Sequence, residues 1–382
     1  MQDAIMQYRS DRNPKGEPLL SFGHRALVYF AVSNSEVFMT THLRGPDTFF
    51  LPFNQGNDGK AGNPVNPNGS ATAYLWERVF QKDAWLGILG KFMHLQVETS
   101  IDPVTGVVEK TETLLFPRYQ QWESVTQLIE AAGVEGPGHR YLIQHSAGSG
   151  KTNSIAWTAH QLSTLHRADG GKVFNSVIVV TDRTVLDSQL REAITQIDAK
   201  TGVVVGIDTK GGGSKSAKLA AALTQGVQII VVTIQTFGFA MAELAKLEGT
   251  LAGRNFAIIA DEAHSSQTGT TSNKVKSVLT DEEIQILADG GGVDMEALLA
   301  ADMEGRANAS NISYFAYTAT PKAKTLEPVR SRAGRRRPAA TLPLVCDAAG
   351  DRGGLHPRRA AELHAVQDGV QASPQRAGVR LR

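Results

Sequence analysis

A chain of 382 residues, 41% hydrophobic and 20% charged, carries enough apolar material for two or three domains with cores of their own, which excludes disorder throughout. No apolar run approaches the roughly 18 residues needed to cross a bilayer, and the single cysteine, Cys346, excludes an internal disulfide and a thiolate zinc cluster. A cytoplasmic protein with no membrane partner is expected, and at a formal net charge of +1 any nucleic acid must be held by a local basic groove and backbone amides.

In chain order, residues 3–9 read as helical. The alternation of apolar and polar residues through 26–32 and 37–39 predicts paired strands of an α+β domain. Residues 54–70, crowded with Gly, Asn and Pro, read as a surface connection to a helical stretch over 74–92. A helix is expected over 118–132. From there short β-rich runs alternate with helical stretches, at 141–143, 177–180, 203–205, 227–233, 256–260 and 314–317. Runs apolar on both faces mark buried parallel strands, so the expected fold class is α/β, a RecA-like doubly wound parallel sheet with its ligands beyond the carboxyl ends of the strands. After Leu326 the composition changes to eleven arginines and no lysine, with many Ala, Gly and Pro and no stable period. By composition alone this is a disordered basic tail.

Two motifs carry the chemistry. Strand 141–143 runs into Gln144, His145, Ser146, Ala147, Gly148, Ser149, Gly150, Lys151 and Thr152, followed by a helix from near Asn153. Gly148 and Gly150 let backbone amides close around phosphates, and the helix N-terminus adds its positive dipole end. Lys151 counters β/γ charge, and Thr152 offers its hydroxyl to magnesium. The strict pattern wants Gly where this chain has His145, so the match is to the looser form ending Gly-Ser-Gly-Lys-Thr. The second motif is the apolar strand 256–260 leading into Asp261, Glu262, Ala263 and His264. Asp261 suits the magnesium shell, Glu262 suits the general base that polarises an attacking water, and His264 suits a reporter of hydrolysis. An Asp-Glu pair opening an ordinary helix is the plainer reading, which the company of the phosphate loop disfavours.

Further elements are less specific. Thr318 and Thr320, in Tyr317-Thr318-Ala319-Thr320-Pro321, either bridge the nucleotide site to a neighbouring lobe or belong to a plain strand-ending turn. Thr181, Arg183, Thr233 and Gln235 fall at strand ends where phosphate contacts would position DNA without reading its sequence, although Arg183 could equally pair with Asp182 or Asp187. Residues 210–216 resemble a second phosphate loop only superficially, because Ser214 stands where a glycine must precede the lysine. Glu262-Ala263-His264 lacks a second ligand at a metalloprotease spacing, and the ten His residues form no metal cluster.

In order and content, Phe116-Pro117-Arg118-Tyr119-Gln120-Gln121-Trp122, the stretch from His145 to Thr152, and the segments at 180–190, 233–237, 261–267 and 318–322 resemble the restriction (R) subunit of type I restriction-modification enzymes, within the superfamily 2 DNA translocases. So do Met39-Thr40-Thr41, Leu51-Pro52-Phe53-Asn54, Gly62-Asn63-Pro64 and Tyr74-Leu75-Trp76-Glu77. The resemblance covers residues 1 to about 326. It implies an ATP-dependent motor with magnesium that docks on modification (M) and specificity (S) subunits and pulls in double-stranded DNA before cleavage. By matching position Gln121 would contact adenine, Lys151 and Thr152 the phosphates and magnesium, and Asp261 and Glu262 the metal and water. The implied organisation is the C-terminal part of a nuclease-like domain over 1–105, the ATP-binding motor lobe over 106–326 and an irregular tail over 327–382.

The departures shape the expectation for activity. The family's nuclease Asp and Glu-x-Lys have no counterpart here, since Glu-x-Lys occurs nowhere in the chain, so loss of cleavage is expected. The match also stops at about Glu327, before the second lobe that supplies an arginine to the γ-phosphate. A lysine-free, arginine-rich continuation is what a shifted reading frame of GC-rich DNA would give. Without that arginine, worth about 10³ to 10⁵ in rate, hydrolysis is expected to be slow. The alternative to a motor is a truncated remnant that binds nucleotide or partner subunits without translocating. A small-substrate P-loop kinase would lack both the Asp-Glu-Ala-His strand end and the Thr-Ala-Thr turn.

Overall fold

A computed structural model describes residues 1–12, 14–57, 60–101, 106–145, 149–181, 184–197, 203–207, 215–233, 253–261 and 310–318. The tail over 327–382 lies outside them. Among the described residues no helix is long and apolar enough to cross a membrane.

The chain opens with α1 (Gln2–Met6), which continues as a π-helical turn over Gln7–Asp11. Strands β1 (Tyr29–Val32), β2 (Val37–Thr40) and β3 (Leu51–Pro52) form an antiparallel sheet in that order, with Val32 opposite Val37 across the first turn. The expected helix over 74–92 comes in two pieces, a π-helical turn over Leu75–Val79 and α2 (Lys82–Lys91). Extended backbone at Gln81 separates them. Val37, Met39, Phe53, Tyr74, Val79, Ile88 and Phe92 make the core of this region.

Residues 54–63 are more than a surface connection. The Asn54 Oδ1 accepts from the Val37 amide at 2.8 Å and from Asn63 Nδ2 at 2.8 Å, and Asn63 Oδ1 accepts from the Gln55 amide at 2.8 Å. A turn rich in Asn and Gly is thus held by side-chain amides in addition to the backbone bonds between Gly56 and Gly62 and between Asn57 and Lys60.

Strands β4 (His94–Ile101) and β5 (Val108–Leu115), paired antiparallel over all eight positions, were not anticipated. Residues 108–113 are all exposed, so this strand has no apolar face, and period-2 hydrophobicity, the signal that reveals half-buried strands, is missing. The boundary expected between 105 and 106 falls between these two strands.

After α3 (Tyr119–Glu135) come β6 (Arg140–Gln144), α4 (Lys151–Ser163), β7 (Ser176–Thr181), α5 (Thr184–Ile197), β8 (Val204–Gly206), α6 (Lys215–Gln225), β9 (Ile229–Thr233), β10 (Phe256–Asp261) and β11 (Ile312–Thr318). The six strands form one parallel sheet in the order β6-β11-β10-β7-β9-β8. All six sequence runs read as buried strands lie in it. Successive residues face opposite sides. Val177, Val179, Ile259 and Phe315 pack with Leu128 of α3, Ile155 and Leu162 of α4 and Ile194 of α5, whereas Ile178, Val180, Ile258 and Tyr314 pack with Leu219 and Leu223 of α6. Both faces being covered explains why these runs are apolar throughout.

The N-terminal region is bolted to this sheet through α4. Trp157 is buried against Phe92, with ring centroids 5.5 Å apart, and its indole N–H donates to the Phe92 carbonyl at 2.8 Å. The hairpin is tied to α5 by Gln196, whose amide accepts from the Val97 N–H at 3.3 Å and donates to the Val97 carbonyl at 3.1 Å, as a neighbouring strand would. Trp157→Ala should therefore lower stability by about 3–5 kcal/mol through the cavity it leaves. Trp157→Phe, which removes one of the two partners of the Phe92 carbonyl and leaves His94 Nδ1 at 3.0 Å as the other, keeps a ring in place and should lower it by about 0.5–1.5 kcal/mol. Urea unfolding midpoints that fail to rank wild type above Phe and Phe above Ala would refute this account of the junction.

Candidate nucleotide site

The sheet order places β11 between the strand that feeds the phosphate loop and the strand that ends in the acid. Ile143 of β6, Tyr317 of β11 and Asp261 of β10 stand level in register, so three carboxyl ends open at one height. The ladder runs one residue beyond β6, where the His145 N–H donates to the Thr318 carbonyl at 2.8 Å.

Gly150 turns the chain into α4 with φ +77° and ψ 37°, in the left-handed region. A Cβ here would also run into the Gln121 side-chain nitrogen, so both conformation and space demand glycine. Lys151 is then the first residue of a thirteen-residue helix, whose N-terminus turns its positive dipole end toward the site. Lys151 Nζ lies 3.1 Å from Asp261 Oδ1, with side chains only 14% and 10% exposed. The phosphate-loop lysine and the strand-end acid, the two poles expected from sequence, are brought together.

Neutral polar groups stand around this pair among the described residues. His145 is wholly buried, and its Nδ1 is 2.9 Å from the Ser149 hydroxyl. Burial first, and then the nearby Lys151 charge, push the imidazole down to about 3. Its ring lies 5.5 Å from that of Tyr317, whose hydroxyl is 2.6 Å from Thr158 Oγ1 on α4. Burial pushes the Tyr317 phenol well above its ordinary range.

Gln121, in the first turn of α3, is 4% exposed. Its Oε1 accepts from the Arg118 N–H at 2.9 Å, closing the helix start, and its Nε2 donates to the carbonyls of Ser149 and Gly150, each at 3.0 Å. Where the resemblance assigned this side chain to adenine, the structure turns its amide onto the phosphate loop.

Thr152 follows Lys151 on α4 and is partly buried. Thr318 closes β11 and is buried. Thr181 and Thr233 close β7 and β9 as cross-strand partners, and both side chains are buried, which leaves them little surface toward a polymer. Ser146, Ala147, Gly148, Arg183, Gln235, Glu262, His264 and Thr320 lie outside the described residues. Sequence reasoning gave no role to Tyr317 or Thr158. The available signal was spacing, since Thr158 lies seven residues after Lys151, on the same face two helical turns on. Among the described residues no group of three or more His, Cys, Asp or Glu could hold a metal. One carboxylate and one hydroxyl suit a magnesium that keeps waters and shares substrate phosphates, not a site closed by protein ligands.

Parallel sheet, loop-to-helix turn, and acid two strands away define a RecA-like ATPase lobe of the helicase-type motor class. The chain belongs to the SWI2/SNF2 ATPase family, whose model matches residues 120–333, more than half of its length. The match begins one residue into α3 and encloses every strand of the parallel sheet. No curated protein gives a significant match. Membership implies ATP use.

The buried imidazole makes stability depend on pH. His145 has a folded value of about 3 against 6.5 in the unfolded chain, so between these limits only the unfolded chain takes up the proton. Stability therefore falls as pH drops below about 6.5. From pH 7 to pH 5 wild type should lose about 2 kcal/mol more than His145→Asn, which has nothing to protonate. Denaturant unfolding at the two pH values measures the difference, and parallel losses in the two proteins would contradict the burial-driven shift.

Proposed function

We propose that this chain is the ATP-driven motor of a double-stranded DNA translocase of the type I restriction R-subunit kind. The observation that carries this reading is the 3.1 Å approach of Lys151 to Asp261 at the carboxyl end of the parallel sheet. It joins the poles that a magnesium triphosphate requires, a cation for the phosphates and an anion for the metal. Family membership supports the ATPase part. The R-subunit part rests on the motif order from Phe116 to Lys322 and on the phrases around Leu51, Asn63 and Tyr74.

In this reading the α4 N-terminus and Lys151 bind and orient the phosphates, and Thr152 and Asp261 hold magnesium. The metal, when bound, neutralises charge on the transferred phosphoryl group. Glu262 takes the proton of the attacking water. His264, Thr318 and Thr320 pass the state of the site toward the DNA, which runs over the strand ends at Arg183 and Gln235, next to the buried Thr181 and Thr233. Thr318 has a direct route, because its carbonyl is already bonded to the first residue of the phosphate loop. Residues 1–105 are proposed as part of a nuclease-type domain, and M and S subunits in the cytoplasm as the partners.

Duplex DNA should stimulate phosphate release by the protein, and Lys151→Ala should reduce that release by about 10²-fold or more, as loss of a preorganised charge at the reacting phosphate does. Equal release from mutant and wild type would remove the site assignment. Nucleotide binding with no turnover in either protein would favour a binding role over a motor. Triplex displacement from DNA bearing a recognition site, dependent on added M and S subunits, tests the R-subunit reading separately.

A further inference from the structure

The β4–β5 ribbon has one edge that is taken and one that is not. Gln196 of α5 bonds both the N–H and the C=O of Val97. Those groups therefore point away from β5, and Val97 and the residue opposite it, Glu112, form a pair that exchanges no hydrogen bonds. Backbone direction alternates along a strand, so Val108 and Lys110 share the orientation of Glu112. The N–H and C=O groups of these three residues line the far edge of the ribbon, where no strand pairs with β5 among the described residues. Residues 108–113 are exposed throughout. A two-stranded ribbon is marginal in water on its own, and an open edge of this length is a template for a further strand.

Charge restricts what can pair there. The ribbon carries Glu98, Glu109 and Glu112 against Lys110, which disfavours a phosphate backbone. A second, antiparallel copy of β5 is different. A two-fold axis through Glu109 or Glu112 would set glutamates on each other, and one through Lys110 would set lysine on lysine, each a like-charge contact directly across the ladder. An axis through Thr111 sets Lys110 of each copy opposite Glu112 of the other, once on either side of the axis. It also lets the outward groups of Lys110 and Glu112 exchange both of their hydrogen bonds. The exposed Val108 then meets Leu114 at each end. Charges on an open edge ordinarily keep strands away. Here they reject the shifted registers and match one.

We propose that β5 is a self-association edge, which joins a second copy of this chain in a four-stranded antiparallel sheet about a two-fold axis at Thr111. Lys110 and Glu112 set its register. The contact is short, well under the area of an obligate interface, so the dimer is a weak one. It does not rest on the reading of the nucleotide site.

Sedimentation of the full chain at concentrations up to about 0.5 mM should show a monomer–dimer equilibrium. A chain that stays monomeric throughout overturns the proposal, and leaves the edge to a strand of some other protein. Lys110→Glu and Glu112→Lys each place like charges at both central pairs and should weaken dimerisation about tenfold or more. An equimolar mixture of the two variants has opposite charges at both pairs again, and should associate as wild type does. A dimer that neither variant weakens, or losses that the mixture does not restore, would put the contact elsewhere. Cross-linking reads the register directly. In a Cys346→Ser background, Thr111→Cys should oxidise to a disulfide-linked dimer, because an opposed pair that exchanges no hydrogen bonds has its Cα atoms about 4.5 Å apart. Thr113→Cys lies on the same face but four positions out of step with its own copy, and should not. Equal cross-linking at the two positions would refute the axis at Thr111.

Discussion

Everything at the sheet's carboxyl end depends on one buried pairing, the Lys151 ammonium with the Asp261 carboxylate across the end of β11. Withdrawing either charge from water is unfavourable by several kcal/mol, and the partner at 3.1 Å helps to offset that penalty. Each residue is tolerated where it stands because the other is there. The two are 110 residues apart in the chain, so the pairing depends on the sheet order and on the register that levels Ile143, Tyr317 and Asp261. In the proposed function a magnesium triphosphate would meet the same requirement from outside, its anionic end satisfying the lysine and its cation the aspartate, so that binding exchanges like charge for like.

That exchange works only if no third charge competes, and the surroundings are neutral for physical reasons. His145 would be a cation beside Lys151 if protonated, but burial and the lysine itself keep it uncharged through the physiological range. Tyr317 stays a phenol for want of water, and its hydroxyl is occupied by Thr158. Gln121 offers strong hydrogen bonds without formal charge. The loop is thus braced by neutral polar groups while the formal charges at the described end of the site are confined to the pair that a ligand addresses. A charged brace would bind the loop more strongly, but it would also bias the lysine before any phosphate arrived.

Much of this was legible in the chain. Six apolar runs gave six parallel strands because burial on both faces leaves a signal that depends on composition alone, and Lys151 and Asp261, singled out because phosphate and metal chemistry restrict residue type, are brought together by the sheet. Three things stayed hidden, each for a definite reason. Strand β5 has no apolar face and is invisible to any hydrophobic pattern, so the alternation of Leu95, Val97 and Ile101 in β4 does not by itself name a partner. Residues 54–63 read as a loop because Gly, Asn and Pro avoid regular structure, yet side-chain amides there add to the backbone bonds that hold the turn. The direction of the Gln121 amide could not be read at all, since an amide serves a base edge and a peptide carbonyl equally well. The position of α3 beside the loop is what brings the amide onto the Ser149 and Gly150 carbonyls.

The remaining consequence is mechanical. Helix α4 carries Lys151 at its first residue, Trp157 near its middle and Thr158 beside it, and thirteen residues of helix span about 20 Å. Its start adjoins the Gly150 turn, Thr158 holds the strand between loop and acid, and Trp157 is plugged into the N-terminal core through Phe92. A helix is stiff along its axis, so its start cannot shift toward or away from a ligand without moving the indole in its socket. The N-terminal region holds that socket rigid with a closed aromatic cluster, in which Phe53 packs on Tyr119, Tyr119 on Trp122, and Arg78 bonds the Tyr119 hydroxyl. The Gln196 bridge to the β4–β5 hairpin adds a second attachment on α5. The nucleotide helix is therefore a strut between the sheet and the N-terminal region, and a rearrangement at either end is passed to the other through packed side chains.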